Sequence, residues 1–359
     1  MPELRVVLNS VDIDENMKKI AFSNEQIAGQ RLMVGFDGTR LNDDLKLIVD
    51  QIKAGGIILF ARNLETPDQI KNLCDAVQDY ARRRGQPPLF IAIDQEGGQV
   101  ARLKKPFAQF PGNPHMKHEK DAVQFAEVTA VELKKVGINM NMAPVMDVAP
   151  ANFNSIMAKR SFGGDPDWVS RLGTKVVEHL QQNSIMAVAK HFPGIGRTTL
   201  DSHLDLPVLD DDLAAMESFD LIPFKACIRQ GITGMMLSHI YYPQLDDRWP
   251  ASLSKYIAND LLRKRLGFDG LVMTDDLDMG AITKHYNIRT SVRQILAAEI
   301  DLALICHKGP NIGIACAEIL KGITDSAEKR AKGLESVARI MDAKRKYLNA
   351  EIGKLKIVD

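Results

Sequence analysis

Short apolar runs at 31–36, 56–60, 89–93, 138–148, 185–189, 234–237, 270–273 and 301–305 recur along the chain, separated by segments whose apolar residues repeat every three or four positions. Near-continuous apolar strands alternating with amphipathic helices belong to parallel sheets covered by helices. Eight such units predict an α/β fold, a (β/α)8 TIM-like barrel in a single domain. An open, doubly wound sheet is the competing arrangement, because periodicity does not report closure. Asn42 is placed to cap a helix whose stripe is Leu45, Ile48, Val49 and Ile52. Thr66 is followed by Pro67 and Gln69, which predicts a capping box ahead of Ile70, Leu73, Cys74 and Val77. Val169, Leu172, Val176 and Leu180 mark a helix ending before Asn183, and 332–348 reads as a closing helix. Residues 1–24 are polar and form an N-terminal extension, leaving 25–359 as the barrel; no linker rich in Gly, Pro or Ser divides it.

Charge narrows the partners. Lys plus Arg and Asp plus Glu both total 46, so the net charge is zero and no basic block stands out. A nucleic-acid or membrane-surface partner is not expected. Cys74, Cys227, Cys306 and Cys316 lack a metal-like spacing and read as small apolar residues of a reducing compartment. The N-terminus is too acidic for a signal peptide, and no stretch is long and apolar enough to span a membrane. The expectation is a cytoplasmic monomer without a cofactor or metal.

In a barrel the residues just past each strand line one rim, where chemistry is assembled. Here that rim is polar: Asp94-Gln95-Glu96-Gly97-Gly98 and Arg102 after strand three, Asn139, Asn141 and Asp147 in strand four, Arg160 beyond it, then Lys190-His191, Ser238-His239 and Thr274-Asp275-Asp276. Singly, each has a plain structural reading: Asp94 or Asp147 as a helix cap, His239 as a satisfied core histidine, Asp276 as an acceptor for backbone at the next helix. Together they bring donors and acceptors for several hydroxyls into one mouth, as a sugar ring demands. An Asp at 275, fixed on a strand end, can attack an anomeric carbon. Asp201 and His203 lie two apart, so an extended loop would turn both to one side, and a carboxylate beside an imidazole favours its protonated, proton-donating form. The alternative is an exposed loop that merely turns.

Five segments resemble glycoside hydrolase family 3: AIDQEGGQVARL (92–103), NMNMAPVMDV (139–148), KRSFGGDP (159–166), KHFPGIG with DSHLDLP (190–207) and GFDGLVMTDDLDMGAI (267–282). The likeness is to the single-domain bacterial β-N-acetylglucosaminidases of peptidoglycan recycling. It implies a barrel, retention of anomeric configuration and no metal. By that resemblance Asp275 is the nucleophile, His203 the acid/base and Asp201 its partner, while Asp94, Arg102, Arg160, Lys190 and His191 hold the terminal sugar. The implied substrate is a non-reducing terminal β-linked GlcNAc, as in GlcNAc-anhydromuropeptides, cleaved in exo fashion.

Three departures accompany the match. Ile195 stands where the family's KHFPGHG has its second histidine, with Arg197 two residues on; Ile156-Met157-Ala158-Lys159 precedes the RSFG segment where a Gly is common; and Glu299 replaces the Gly of a typical Ala-Gly. The first falls in the loop carrying His203, which has to swing over the site about Gly194-Ile195-Gly196. Competing readings are a β-N-acetylglucosaminide phosphorylase, a metal-dependent hydrolase using His191, His203 and His239, and a non-catalytic GlcNAc-binding barrel.

Overall fold

The structure, a computed structural model, describes residues 22–348, so most of the expected extension and the last residues of the barrel segment lie outside it. Its barrel strands are β1 (Leu32–Val34), β2 (Gly56–Leu59), β3 (Phe90–Ile93), β4 (Met140–Asn141), β5 (Met186–Phe192), β6 (Gly234–Leu237), β7 (Leu271–Asp276) and β8 (Leu302–Ile305), and a separate antiparallel pair, Gln95–Gly97 with Val100–Ala101, follows β3. Each barrel strand pairs in parallel with its neighbour, and β8 closes on β1 with Leu32 opposite Ala303 and Val34 opposite Ile305. The sheet is therefore a closed barrel, not an open one. Its strands are buried throughout except at Asp275, because barrel-facing side chains fill the inside and the helices cover the outside.

Two strands differ from expectation at the end that matters. The apolar run 138–148 pairs as a regular strand only over Met140–Asn141, because Pro144 has no N–H to give the ladder. The chain beyond still hands backbone to β5: Val188 N–H donates to the Ala143 carbonyl at 3.0 Å and Met146 N–H to the Lys190 carbonyl at 2.6 Å. Conversely β5 continues past Ala189, with a register shift against β6 between Ala189 and Phe192 that brings both Lys190 and His191 to the rim.

The helices follow their caps. Asn42 accepts from Leu45 N–H at 3.1 Å, and Leu45, Ile48, Val49 and Ile52 are buried as one stripe. Thr66 accepts from Gln69 N–H at 3.1 Å, yet Gln69 accepts from Glu65 N–H at 2.8 Å and not from Thr66. The expected box is offset by one residue because the Gln69 amide also donates to the Thr39 and Asn63 carbonyls. Pro166–Gln182 ends at Asn183 as expected, with Val169, Leu172, Val176 and Leu180 buried. Glu299 takes a left-handed conformation, φ 59°, which explains why a glycine suits that position; its carboxylate is held by Asn259 at 2.9 Å and Lys332 at 2.8 Å.

The closing helix starts earlier than expected, at Ala327, and runs to Leu348. It buries Val337, Ile340 and Met341, and Arg339 pairs with the fully buried Asp301 at 2.9 Å. It also sends Lys344 into the base of the barrel, where Nζ donates to Gln30 Oε1 at 2.7 Å and lies 5.4 Å from the Phe90 ring centroid. Burial holds the Lys344 ammonium well below the ordinary lysine range. The unfolded chain therefore binds more protons than the native one between the depressed pKa and about 10.4, and native stability rises with pH across that window. The stability difference between wild type and Lys344→Met is expected to move in favour of wild type as the pH rises toward ~10, by up to ~1.4 kcal/mol per pH unit, in urea titrations at stepped pH.

Candidate active site

At the C-terminal rim of the strands lies a pocket of about 620 Å³ whose lining includes Asp94, Arg102, Arg160, Lys190, His191, Asp201, His203 and Asp275. All eight residues that the family resemblance points to are thus in one cavity. Its wall is a network of charges from β3, the loop after β4, and β5. Lys190 Nζ lies 2.8 Å from Asp94 Oδ1 and 2.6 Å from Glu96 Oε1. Arg160 grips Glu96 with Nη2 at 2.7 Å and Nε at 3.0 Å. Burial alone would raise the Asp94 carboxyl, but Lys190 and Arg102 overcome it and hold Asp94 at about 2; Lys190 and Arg160 likewise hold Glu96 low against burial. Arg102 Nη2 reaches Asp94 Oδ2 at 3.4 Å, while its buried Nε has no hydrogen-bond partner among the described residues and remains a donor for a ligand oxygen.

Asp147 organises the next layer. Fully buried, it meets His191 Nδ1 with Oδ2 at 2.7 Å and accepts from Ile195 N–H with Oδ1 at 2.8 Å. Neither Asp94 nor Asp147 is a helix cap; both are used across the barrel. His191 Nε2 lies 3.4 Å from Arg160 Nη2, so the wall network and this pair touch.

Asp275 sits at the C-terminal end of β7, one residue before its last. Its Oδ1 accepts from Asp276 N–H at 2.8 Å, which leaves Oδ2 for the cavity. Burial raises its carboxyl, but the positive fields of His239, His191 and Lys190 and that N–H bring it below the ordinary carboxylate range. It is therefore an anion at neutral pH. Asp276 accepts backbone N–H from Cys306 at 2.9 Å and Asp278 at 3.1 Å, the structural role expected of it. His239 bonds Ser252 Oγ at 2.6 Å and the Asp276 carbonyl at 2.8 Å, and burial lowers its pKa. It is a satisfied core histidine that supports the strand end.

Asp201 and His203 are arranged differently from the extended segment expected. Residues 201–205 form a turn, with Leu204 and Asp205 N–H both donating to the Asp201 carbonyl at 2.9 and 3.2 Å. The side chains meet because Asp201 Oδ1 accepts His203 N–H at 2.9 Å, an Asx-type turn that also brings His203 Nδ1 to 2.7 Å. The His203 side chain is 67 % exposed, against 3 % for Lys190. The stretch expected to be a hinge is the opposite: Gly194, Ile195 and Gly196 are buried, and a Cβ on Gly196 would sit 1.9 Å from the Val148 carbonyl oxygen. Arg197 is tied to Asp211 at 2.8 Å and to Asp220 at 3.2 Å. Both residues at the departure are packed into the loop's root.

Sequence reasoning placed Glu96 on the rim but gave it no role, because its partners lie 64 and 94 positions away in Arg160 and Lys190. It also passed over the end of β8, where His307 faces Asp276 at 3.4 Å and Asp278 at 3.9 Å. The signal for His307 was its place just past a strand. Among the described residues, Asp276, Asp278 and His307 are the set that could hold a metal ion, with ligand atoms all within 4.8 Å.

A polar cavity at this rim is where closed (β/α)8 barrels carry out catalysis. The chain belongs to glycoside hydrolase family 3: it matches the glycosyl hydrolase family 3 N-terminal domain over residues 17–349, and it is a glycoside hydrolase. A β-hexosaminidase of Alkalilimnicola ehrlichii is 35 % identical over 285 residues, covering 77 % of this chain and 80 % of that protein. One of Pseudomonas aeruginosa is 32 % identical, covering 84 % and 90 %. The structure of a family 3 β-N-acetylglucosaminidase from Paenibacillus sp. FPU-7 superposes with a TM-score of 0.88 at 34 % identity, over 94 % of this chain and 66 % of that longer one.

Glu96 is 2 % exposed and balances two cations. Glu96→Ala is expected to lose about 3–5 kcal/mol in urea denaturation, because the buried Arg160 guanidinium loses its carboxylate and Lys190 keeps only Asp94. Glu96→Gln, which keeps an acceptor, should lose less.

Proposed function

We propose that the chain is a retaining, exo-acting β-N-acetylglucosaminidase that removes a non-reducing terminal β-linked GlcNAc through a glycosyl-Asp275 intermediate, with His203 as acid/base and Asp201 orienting it. The observation carrying this reading is that an ionised strand-end carboxylate and an Asp-paired imidazole from a separate loop line one sugar-sized cavity. The names borne by the similar proteins, β-hexosaminidase and β-N-acetylglucosaminidase, support the substrate class.

The geometry suits double displacement. Asp275 Oδ2 attacks the anomeric carbon as the bond to the leaving oxygen breaks, and that oxygen takes a proton from the His203 imidazolium. In the second half His203 accepts a proton from water, whose oxygen attacks the same carbon and frees Asp275 with the original configuration. Asp94, Lys190, Arg102, Arg160 and His191 hold the sugar's hydroxyls while this happens. Because their charges are already paired and oriented, little reorganisation accompanies binding. A GlcNAc-anhydromuropeptide released during wall recycling in the cytoplasm fits as the natural substrate.

Phosphorolysis is the second reading, since an imidazole adds no negative charge where an incoming phosphate would approach. Against it, Asp201, Asp275, Asp276 and Asp278 line the same cavity and repel an anion. Hydrolysis is favoured.

Asp275→Ala is expected to abolish release of 4-nitrophenol from its β-GlcNAc glycoside, and full activity in that variant would sink the assignment. NMR of the first product should show the β-anomer, with no sugar-1-phosphate in phosphate buffer. Because Asp275 is held below the usual carboxylate range, the acid limb of kcat/KM is expected below pH ~4.

A further inference from the structure

The loop carrying His203 is rooted firmly at both ends and crosses the site between them. One root, 193–198, is packed on the Val148 carbonyl and Asp220. The other pairs with Tyr241, whose N–H donates to the Pro207 carbonyl at 2.9 Å and whose carbonyl accepts from Leu209 N–H at 3.0 Å. Between the roots Thr199, Leu200, His203 and Leu204 are exposed. Among the described residues, the hydrogen bonds that leave this crossing all reach one place. Ala281 N–H donates to the Ser202 carbonyl at 3.0 Å, His285 Nε2 meets Asp205 Oδ1 at 2.7 Å, and Lys284 Nζ lies 3.4 Å from Asp205 Oδ2. These partners belong to the short helix Gly280–Thr283 and the turn after it, which follow directly on Asp275.

Gly280 adds an independent observation. A Cβ at that position would lie 2.6 Å from the His203 carbonyl oxygen and 2.9 Å from that of Leu204. Any larger residue would have to lift the backbone of the acid/base itself. Asp205 is rigidly joined to His203 as well, because its N–H and that of Leu204 both close on the Asp201 carbonyl and its Oδ1 also accepts from Leu206 N–H at 2.8 Å. Movement of Asp205 therefore moves the Asp201–His203 pair.

We infer that Asp205, gripped by His285 and Lys284, and the bare backbone of Gly280 are positioning elements that set the height of His203 above Asp275. This rests on the function proposed above. The latch joins the acid/base loop to the segment bearing the nucleophile, so the two reacting groups are registered against each other and not only against the barrel. Proximity makes such registration consequential, since a misplacement of ~1 Å can cost about 10²-fold in rate.

A latch of this kind affects proton delivery, which matters for a poor leaving group and little for a good one. The test compares kcat/KM for N,N′-diacetylchitobiose and for 2,4-dinitrophenyl β-GlcNAc in wild type, Asp205→Ala, His285→Ala and Gly280→Ala, with melting temperatures recorded. The disaccharide value is expected to fall by ~10-fold or more while the dinitrophenyl value changes by less than ~3-fold. His285→Gln, which keeps an N–H donor, should recover part of the loss. Equal loss on both substrates, or unchanged selectivity in folded variants, overturns the latch. Asp205 is solvent-facing, so its variant keeps the comparison open should Gly280→Ala not fold. An Asp275→Ala protein active on the dinitrophenyl glycoside would instead overturn the proposed function, and the latch with it.

Discussion

Glu96 is the interaction on which the rim depends. It is almost entirely out of water and takes Arg160 through two nitrogens and Lys190 through a third contact. Desolvating three such groups costs several kcal/mol apiece, and their mutual attraction offsets that only when the geometry is good. A barrel rim built for stability alone would bury apolar side chains there. The network instead pins three separate chain segments, the end of β3, the loop after β4 and the end of β5, into one wall. Asp94 and Asp147 extend the same principle, each acting across the barrel to Lys190 and His191.

The site has two halves of different character. The wall and Asp275 are held on strand ends, with their charges paired or stabilised before any ligand arrives. The Asp201–His203 pair rides on an exposed turn attached at its roots. In the mechanism proposed above, a group that donates a proton to a departing oxygen and later accepts one from water needs access to both, which a buried position would deny. A nucleophile that must approach one carbon gains from rigidity. Exposure of His203 and enclosure of Lys190 are therefore consistent with different tasks.

Much of this was legible in the sequence, and the reasons differ by element. The eight strands showed because apolar runs and helical stripes are local signals, and the caps at Asn42 and Thr66 showed because capping is settled within a few residues. The pairing role of Glu96 did not, because its partners lie far away in the chain and a Glu inside a Gly-rich strand end resembles many turns. The offset at Gln69 has the same cause, since Thr39 and Asn63 compete for its amide from outside the helix. The Asp201–His203 contact was foreseen but through a wrong geometry: alternation in an extended chain suggested it, whereas a tight turn makes it.

Ile195 is where motif and physics part company. A histidine expected by resemblance is replaced by an apolar residue, which reads as damage beside the loop proposed to carry the acid/base. In the structure the position is served by its backbone: Ile195 N–H donates to Asp147, the same carboxylate that orients His191. The side chain is buried and the loop's root stays closed over it, with Arg197 holding Asp211 and Asp220 on the outer side. What the substitution removes is a polar side chain at the root, while the bond that ties the root to the charged wall is made by an atom every residue but proline possesses. The consequence of the departure is then confined to the cavity surface that Ile195 lines, where a carbon face has taken the place of a ring nitrogen.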